Sequence, residues 1–192
     1  MTLFSAAAQR QGELEDPEKL AWLRLIRTEN IGPITFYNLL EVYGSARKAL
    51  EALPGLSRKG GRLKDIKIAA EANCLYEMEQ LERLGGRMIF AAEDDYPLSL
   101  SAIEDAPPVL SVIGNTRLMR LPAIGVVGAR NASLNGRKFA ENLSRDLGAA
   151  GQVVVSGLAR GIDAAAHAGA IETGTIAAIA GGIDIVYPPE NR

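Results

Sequence analysis

The stretch Val153–His167, VVVSGLARGIDAAAH, constrains this chain more than any other. Three β-branched residues run into Ser156-Gly157, Arg160 and Gly161 follow, and an alanine-rich run then favours helix. That order predicts strand, turn and helix, one unit of a parallel α/β sheet, with small residues where backbone must approach a ligand. Free N–H groups at the new helix start, with the helix dipole behind them, favour an anion. Arg160 adds a fixed positive charge whose planar donors suit phosphate. The ligand expected at this turn carries phosphate.

The same pattern recurs on both sides. Ala123–Val127 is an unbroken apolar run, expected to be a buried parallel strand, and it ends in Gly128-Ala129-Arg130-Asn131. A helix capped by Ser133 or Asn135 should reach about Ala150, with Phe139, Leu143 and Leu147 on one face. A further helix over Ala164–Glu172 leads to a strand over Thr175–Ala180 that closes on Gly181-Gly182. Alternation of strand and helix dictates a parallel sheet with right-handed crossovers, and ligands sit beyond the carboxyl ends of such strands. Glycine stands at each of those ends, and Arg130 and Arg160 each lie within three residues of one. Both arginines are therefore expected on one glycine-lined edge.

Upstream the periodicity is helical. Asp16-Pro17 suits a helix start, with Asp16 as the cap, and Leu20, Trp22, Leu23, Leu25 and Ile26 form its apolar stripe. Asn30-Ile31-Gly32-Pro33 should end that helix, Gly44 a second, and Leu53-Pro54 a third. A longer helix is expected to carry Ile66, Ala69, Ala70, Asn73, Cys74, Met78, Leu81 and Leu84 to Gly85-Gly86. Between them lies a basic run, Arg58, Lys59, Arg62, Lys64 and Lys67, either a solvated loop or a secondary binding patch. Arg87–Ala91 and Val109–Ile113 read as short strands around an acidic, proline-rich connector. The expected organisation is a tail over 1–14, a small helical domain over 15–85, and a sheet domain over 86–192. Short helices joined by Gly-Pro and Pro-Gly turns resemble helix-hairpin-helix or SAM-like folds.

Composition excludes several classes. With 47% hydrophobic and 23% charged residues the chain is globular, not disordered. No apolar run approaches the length of a membrane span, and the N-terminus lacks the pattern of a secretion signal, so a cytoplasmic protein is expected. Cys74 is the single cysteine and is expected to fill core. His167 is the single histidine, with no cysteine or carboxylate cluster beside it, so no metal site is expected. Net charge is −2, but residues 110–192 hold 8 Lys+Arg against 6 Asp+Glu, which still allows a local phosphate groove.

The motifs narrow the phosphate ligand. A dinucleotide fold requires GxGxxG after its first strand, where this chain reads GARNASLNG, and no GxxxxGK[ST] loop is present. A shallow edge with Arg130 and Arg160 suits a phosphodiester backbone or a nucleoside monophosphate.

GAR at 128–130, SGLARGIDAAAH at 156–167 and GTIAAIAGGIDIVYP at 174–188 resemble the DNA-processing protein A (DprA/Smf) family, with DYP at 95–97 and PPVLSVIGN at 107–115 fitting the preceding segment. The resemblance covers nearly the whole chain. It implies a Rossmann-like sheet and a bacterial protein that binds single-stranded DNA in natural transformation. Protection of incoming DNA, help in loading the RecA recombinase, and a homodimer formed through the sheet domain are implied with it. No cofactor and no catalytic residue are implied. The family's phosphate-binding turns fall on Gly128, Ala129 and Arg130 and on Ser156, Gly157, Arg160 and Gly161, with Ala129 in place of the usual serine. Since the family's sheet continues beyond YPPENR, and many members add a winged-helix domain, the chain is expected to be part of a longer protein.

A second class stays open: a nucleotide enzyme such as a nucleoside-monophosphate phosphoribohydrolase, which shares the open sheet and glycine turns. A Ser156–His167 pair would favour hydrolysis, whereas a packed His167 with a backbone or Asp163 partner would not. Asp163 is expected to cap the helix after Gly161. Tyr187 is expected either to stack on a base or to pack.

Overall fold

The computed structural model describes residues 13–59, 66–185 and 188–191, which fall into two compact units divided between Gly114 and Asn115. In the first unit, α1 (Asp16–Ile26), α2 (Pro33–Tyr43) and α3 (Ala46–Lys59) pack around Trp22, Leu23, Leu25, Phe36, Tyr37 and Leu40. Trp22 meets Phe36 edge to face at 4.9 Å, a geometry favoured by the ring quadrupoles. Buried Tyr37 donates its hydroxyl proton to the carbonyl of Ala106 at 3.0 Å. α1 starts one residue early, at Asp16, with Glu15 at the cap position, and Gly44 closes α2 in the left-handed conformation.

Two helix limits depart from the sequence pattern. α3 does not stop before Pro54 but runs through it to Lys59. Ala46, Ala49, Leu50 and Leu53 form one buried face, while the proline ring stands on the solvent side. Burying Leu50 and Leu53 contributes about 3–6 kcal/mol, enough to offset the roughly 3 kcal/mol that an internal proline costs. α4 (Glu71–Arg83) starts later than expected, because residues 66–70 are not helical. Ala69 spends its backbone elsewhere: its N–H donates to Thr28 Oγ1 at 3.2 Å, and its carbonyl accepts from Arg24 Nε at 3.3 Å. Cys74 is buried, as core filler should be.

β1 (Gly86–Phe90) and β2 (Val109–Ile113) pair antiparallel with each other, Gly86 opposite Ile113 and Phe90 opposite Val109, with short α5 (Leu98–Ser101) between them. They pack on α4 and α1, so they cluster with the helices rather than with the parallel sheet. They therefore fall within the first compact unit, upstream of Asn115.

The second unit is the α/β part. β3 (Ala123–Gly125), α6 (Leu134–Ala149), β4 (Val153–Ser156), α7 (Ile162–Ala170) and β5 (Thr175–Ala177) alternate, and the strands pair in parallel in the order β3-β4-β5. Val154 and Ser156 of β4 face Thr175 and Ala177, and Ala123 faces Val153. Ser133 caps α6, accepting from the Gly136 N–H at 3.1 Å.

Burial here departs from expectation twice. β3 is exposed at all three positions, because α6 and α7 lie over β4 and α7 also over β5. On α6 the buried residues are Ala140, Ser144 and Gly148, with Leu147 partly covered, while Phe139 and Leu143 turn outward at 69% and 40% exposure. Backbone proximity decides this. A Cβ on Gly169 would lie 2.1 Å from the carbonyl oxygen of Glu141, and one on Gly148 would lie 2.0 Å from Thr173 Oγ1. Only small residues fit between helices that approach so closely. Among the described residues no helix is long and apolar enough to cross a membrane.

Candidate nucleic-acid interface

Because β3 and β4 are parallel neighbours, the chain leaves both at the same end of the sheet. The two turns that follow are in contact. Gly161 has φ +82°, and a Cβ there would lie 2.3 Å from the Ala129 carbonyl oxygen and 2.5 Å from that of Arg130. The Ile162 N–H donates to the Ala129 carbonyl at 3.3 Å, and the Ile162 side chain fills the space a Cβ on Gly128 would need. Buried Ser156 donates its hydroxyl proton to the Val126 carbonyl at 2.7 Å, tying the end of β4 to the end of β3. The structure therefore gathers Gly128, Ala129, Arg130, Ser156, Gly157, Arg160 and Gly161 on one edge.

Asp163 organises that edge in a way the sequence did not indicate. It does not cap α7: Gly161 holds the cap position and Asp163 lies inside the first helical turn, 6% exposed. Its carboxylate bridges the turns, Oδ1 accepting from the Gly128 N–H at 3.3 Å and Oδ2 from the Gly157 N–H at 3.1 Å. Those amides are consumed within the protein and are not free for phosphate. Among the described residues, the amides of Ala129, Arg130, Leu158, Ala159, Arg160 and Gly161 carry no hydrogen-bond partner. Phosphate contact would pass through such amides and the arginine side chains.

The arginines differ. Arg130 is exposed and has no ion pair among the described residues. Arg160 is also exposed, but its Nε lies 2.9 Å from Glu190 Oε1. Next to Glu190, Asn191 donates from Nδ2 to the Leu158 carbonyl at 2.8 Å. Leu158 has φ +57°, a left-handed conformation that costs a non-glycine residue about 1–3 kcal/mol and is found where a turn is held from several sides.

His167 is packed, with a partner other than those foreseen. Thr175 donates its hydroxyl proton to the Val154 carbonyl at 2.8 Å, so it accepts from His167 Nδ1 at 2.8 Å, which leaves Nε2 unprotonated and without a partner. Ser156 and His167 thus each have another partner and do not pair. Burial holds the imidazole below the usual histidine range, with the Asp163 charge opposing. Between that lowered value and about 6.5 the unfolded chain binds the extra proton, so stability is full above about 6.5 and falls as pH is lowered. Urea midpoints should therefore drop from pH 7.5 to 5.5 more in the parent than in His167→Gln; equal slopes would refute this.

The secondary contacts are not gathered here. Arg58 and Lys59 end α3 in the other unit, while Arg62 and Tyr187 lie outside the described residues, as do residues 1–12 of the N-terminal tail. Among the described residues no three His, Cys, Asp or Glu side chains could hold a metal. Sequence reasoning missed Glu190 and Asn191, which carry no local signal, and misplaced Asp163, whose position two residues past a glycine imitates a cap.

Fold and edge define a chain that joins a helical unit to an open parallel α/β unit with arginine-bearing turns. Residues 87–192 match the DNA recombination-mediator protein A family, and residues 16–79 match the DprA-like N-terminal HHH domain. The chain belongs to the DNA recombination-mediator protein A (DprA/Smf) family. It is 30% identical to the protein Smf of Synechocystis over 93% of its own length and 48% of that protein. It is 45% identical to the DNA processing protein DprA of Streptococcus pneumoniae over 52% of its length and 36% of that protein. It thus spans half or less of these relatives. The X-ray structure of S. pneumoniae DNA processing protein A superposes with a TM-score of 0.58 at 30% identity, over 84% of this chain and 62% of that one. A structure described for the single-stranded DNA binding mode of DNA processing protein A from Helicobacter pylori gives 0.50 at 27% identity, over 55% of this chain and 47% of that one.

Proposed function

We propose that the protein binds single-stranded DNA along the edge formed by Gly128–Arg130 and Ser156–Gly161, gripping the sugar–phosphate backbone without a metal or nucleotide cofactor. The observation that carries this is the contact between two arginine-bearing turns at one end of a parallel sheet, where exposed guanidinium groups sit beside unpartnered amides. The single-stranded DNA binding of the H. pylori relative supports the choice of ligand. The role that follows is DNA processing in bacterial natural transformation, in the cytoplasm, protecting the strand and helping to load RecA. Self-association through the α/β unit belongs to the same proposal. The edge acts as a binding surface rather than a catalytic centre.

Fluorescence anisotropy with oligonucleotides across a salt series tests it. Affinity should fall by about 0.7 log units per log unit of salt for each phosphate neutralised. Arg130→Ala should weaken binding by about 1–3 kcal/mol, equally for every base composition, and flatten the salt dependence, because backbone contacts carry no sequence information. A folded Arg130→Ala that binds like the parent, or turnover of a nucleoside monophosphate, would overturn the proposal. The Arg58–Lys67 run would then be the next place to look.

A further inference from the structure

The two arginines of the edge are not equivalent, and the difference lies in the short segment Pro188–Asn191. Glu190 places a carboxylate oxygen 2.9 Å from Arg160 Nε, while Asn191 fixes the same segment to the Leu158 carbonyl two residues before Arg160. Pro188 is fully buried, so the segment is seated at its other end as well. Carboxylate and phosphate oxygens are alternative anions for one guanidinium. Both side chains of the ion pair are more than half exposed, at 59% and 55%, so the pair is open to solvent and to a competing ligand. Arg130 has no such anion beside it among the described residues.

Resting on the single-strand binding proposed above, we infer that Glu190 is an internal competitor for DNA phosphate at Arg160. The unliganded edge then presents one uncompensated arginine, Arg130, which engages first. Arg160 is released only when a second phosphate, held nearby by the first contact, displaces the Glu190 carboxylate. A single phosphate or a mononucleotide gains little from that exchange, whereas a continuous strand supplies both anions. The segment therefore favours polymer over monomer and weakens retention of any one bound strand.

The test compares the parent, Glu190→Gln, Arg160→Ala, the double variant and Arg130→Ala, using an oligothymidylate at low and moderate salt. Glu190→Gln should tighten binding by about two- to fivefold, the range set by an exposed ion pair, with a smaller gain at higher salt. In the Arg160→Ala background the same substitution should change affinity little, whereas a general loss of negative charge would act equally in both backgrounds. Arg160→Ala should cost more when Glu190 is already glutamine than in the parent. A Glu190→Gln variant that binds no more tightly, or one whose gain survives removal of Arg160, overturns the inference. If Arg130→Ala weakens binding while Glu190→Gln is inert, the inference fails and the DNA-binding proposal stands. If the parent does not bind the oligonucleotide, both fail.

Discussion

Gly161→Ala is expected to lower the free energy of unfolding by about 3 kcal/mol, combining left-handed backbone strain with overpacking. Two causes act at once. The residue sits at φ +82°, where a side chain is strained, and the new methyl would lie within 2.5 Å of the backbone oxygens of Ala129 and Arg130. Neither oxygen belongs to a flexible side chain, so relief requires the two turns to separate. The substitution should therefore weaken DNA binding as well, although it removes no charge. Urea titration followed by circular dichroism reads the stability, and anisotropy on the folded fraction reads the binding. Parent-like values in both would show that the contact between the turns is not needed. Gly181→Ala, which has open space around it, serves as the control and should be nearly silent.

Asp163→Ala should cost about 2–3 kcal/mol, the scale for hydrogen bonds to a charged group. It leaves the Gly128 and Gly157 amides without their shared acceptor and removes the clamp between the two strand ends. Asp163→Asn separates geometry from charge. Its single carbonyl oxygen can accept from one glycine, while its NH2 group confronts the other, so it should recover only part of the loss. Amide resonances of both Gly128 and Gly157 should shift in either variant. A shift confined to one glycine would mean that the carboxylate does not bridge the turns.

The legible parts of this fold were those in which local chemistry and tertiary structure agree. The strand–turn–helix order around Ser156 and Gly161, the parallel pairing, Ser133 as a cap and Gly44 as a helix end all follow from residues a few positions apart. What escaped depended on partners distant in sequence. Pro54 marks a helix end by propensity, yet the buried face of α3 carries the helix past it. Ile66–Ala70 continue the apolar pattern of α4, but the end of α1 claims the backbone of Ala69. Phe139 and Leu143 are the largest apolar residues near the middle of α6, yet the facing backbone of α7 admits only alanine, serine and glycine. In the site, the turn residues were legible because glycine and arginine announce themselves. The use of the Gly128 and Gly157 amides by Asp163 was not, because a first-turn acid has several possible partners. Glu190 reaches Arg160 from thirty residues away.

The close seating of α6 on α7 has a mechanical consequence. α6 begins just after the Arg130 turn and α7 just after the Arg160 turn, while Gly169 brings α7 almost to the backbone of α6 at Glu141. Helices seated that closely cannot slide past one another without the Gly169 backbone colliding with the Glu141 carbonyl, which helps to keep the two turns mounted on them in register. If DNA binds this edge as proposed, the gap between the turns would act as a gauge built into the protein, and a flexible strand would adjust its own internucleotide spacing to fit.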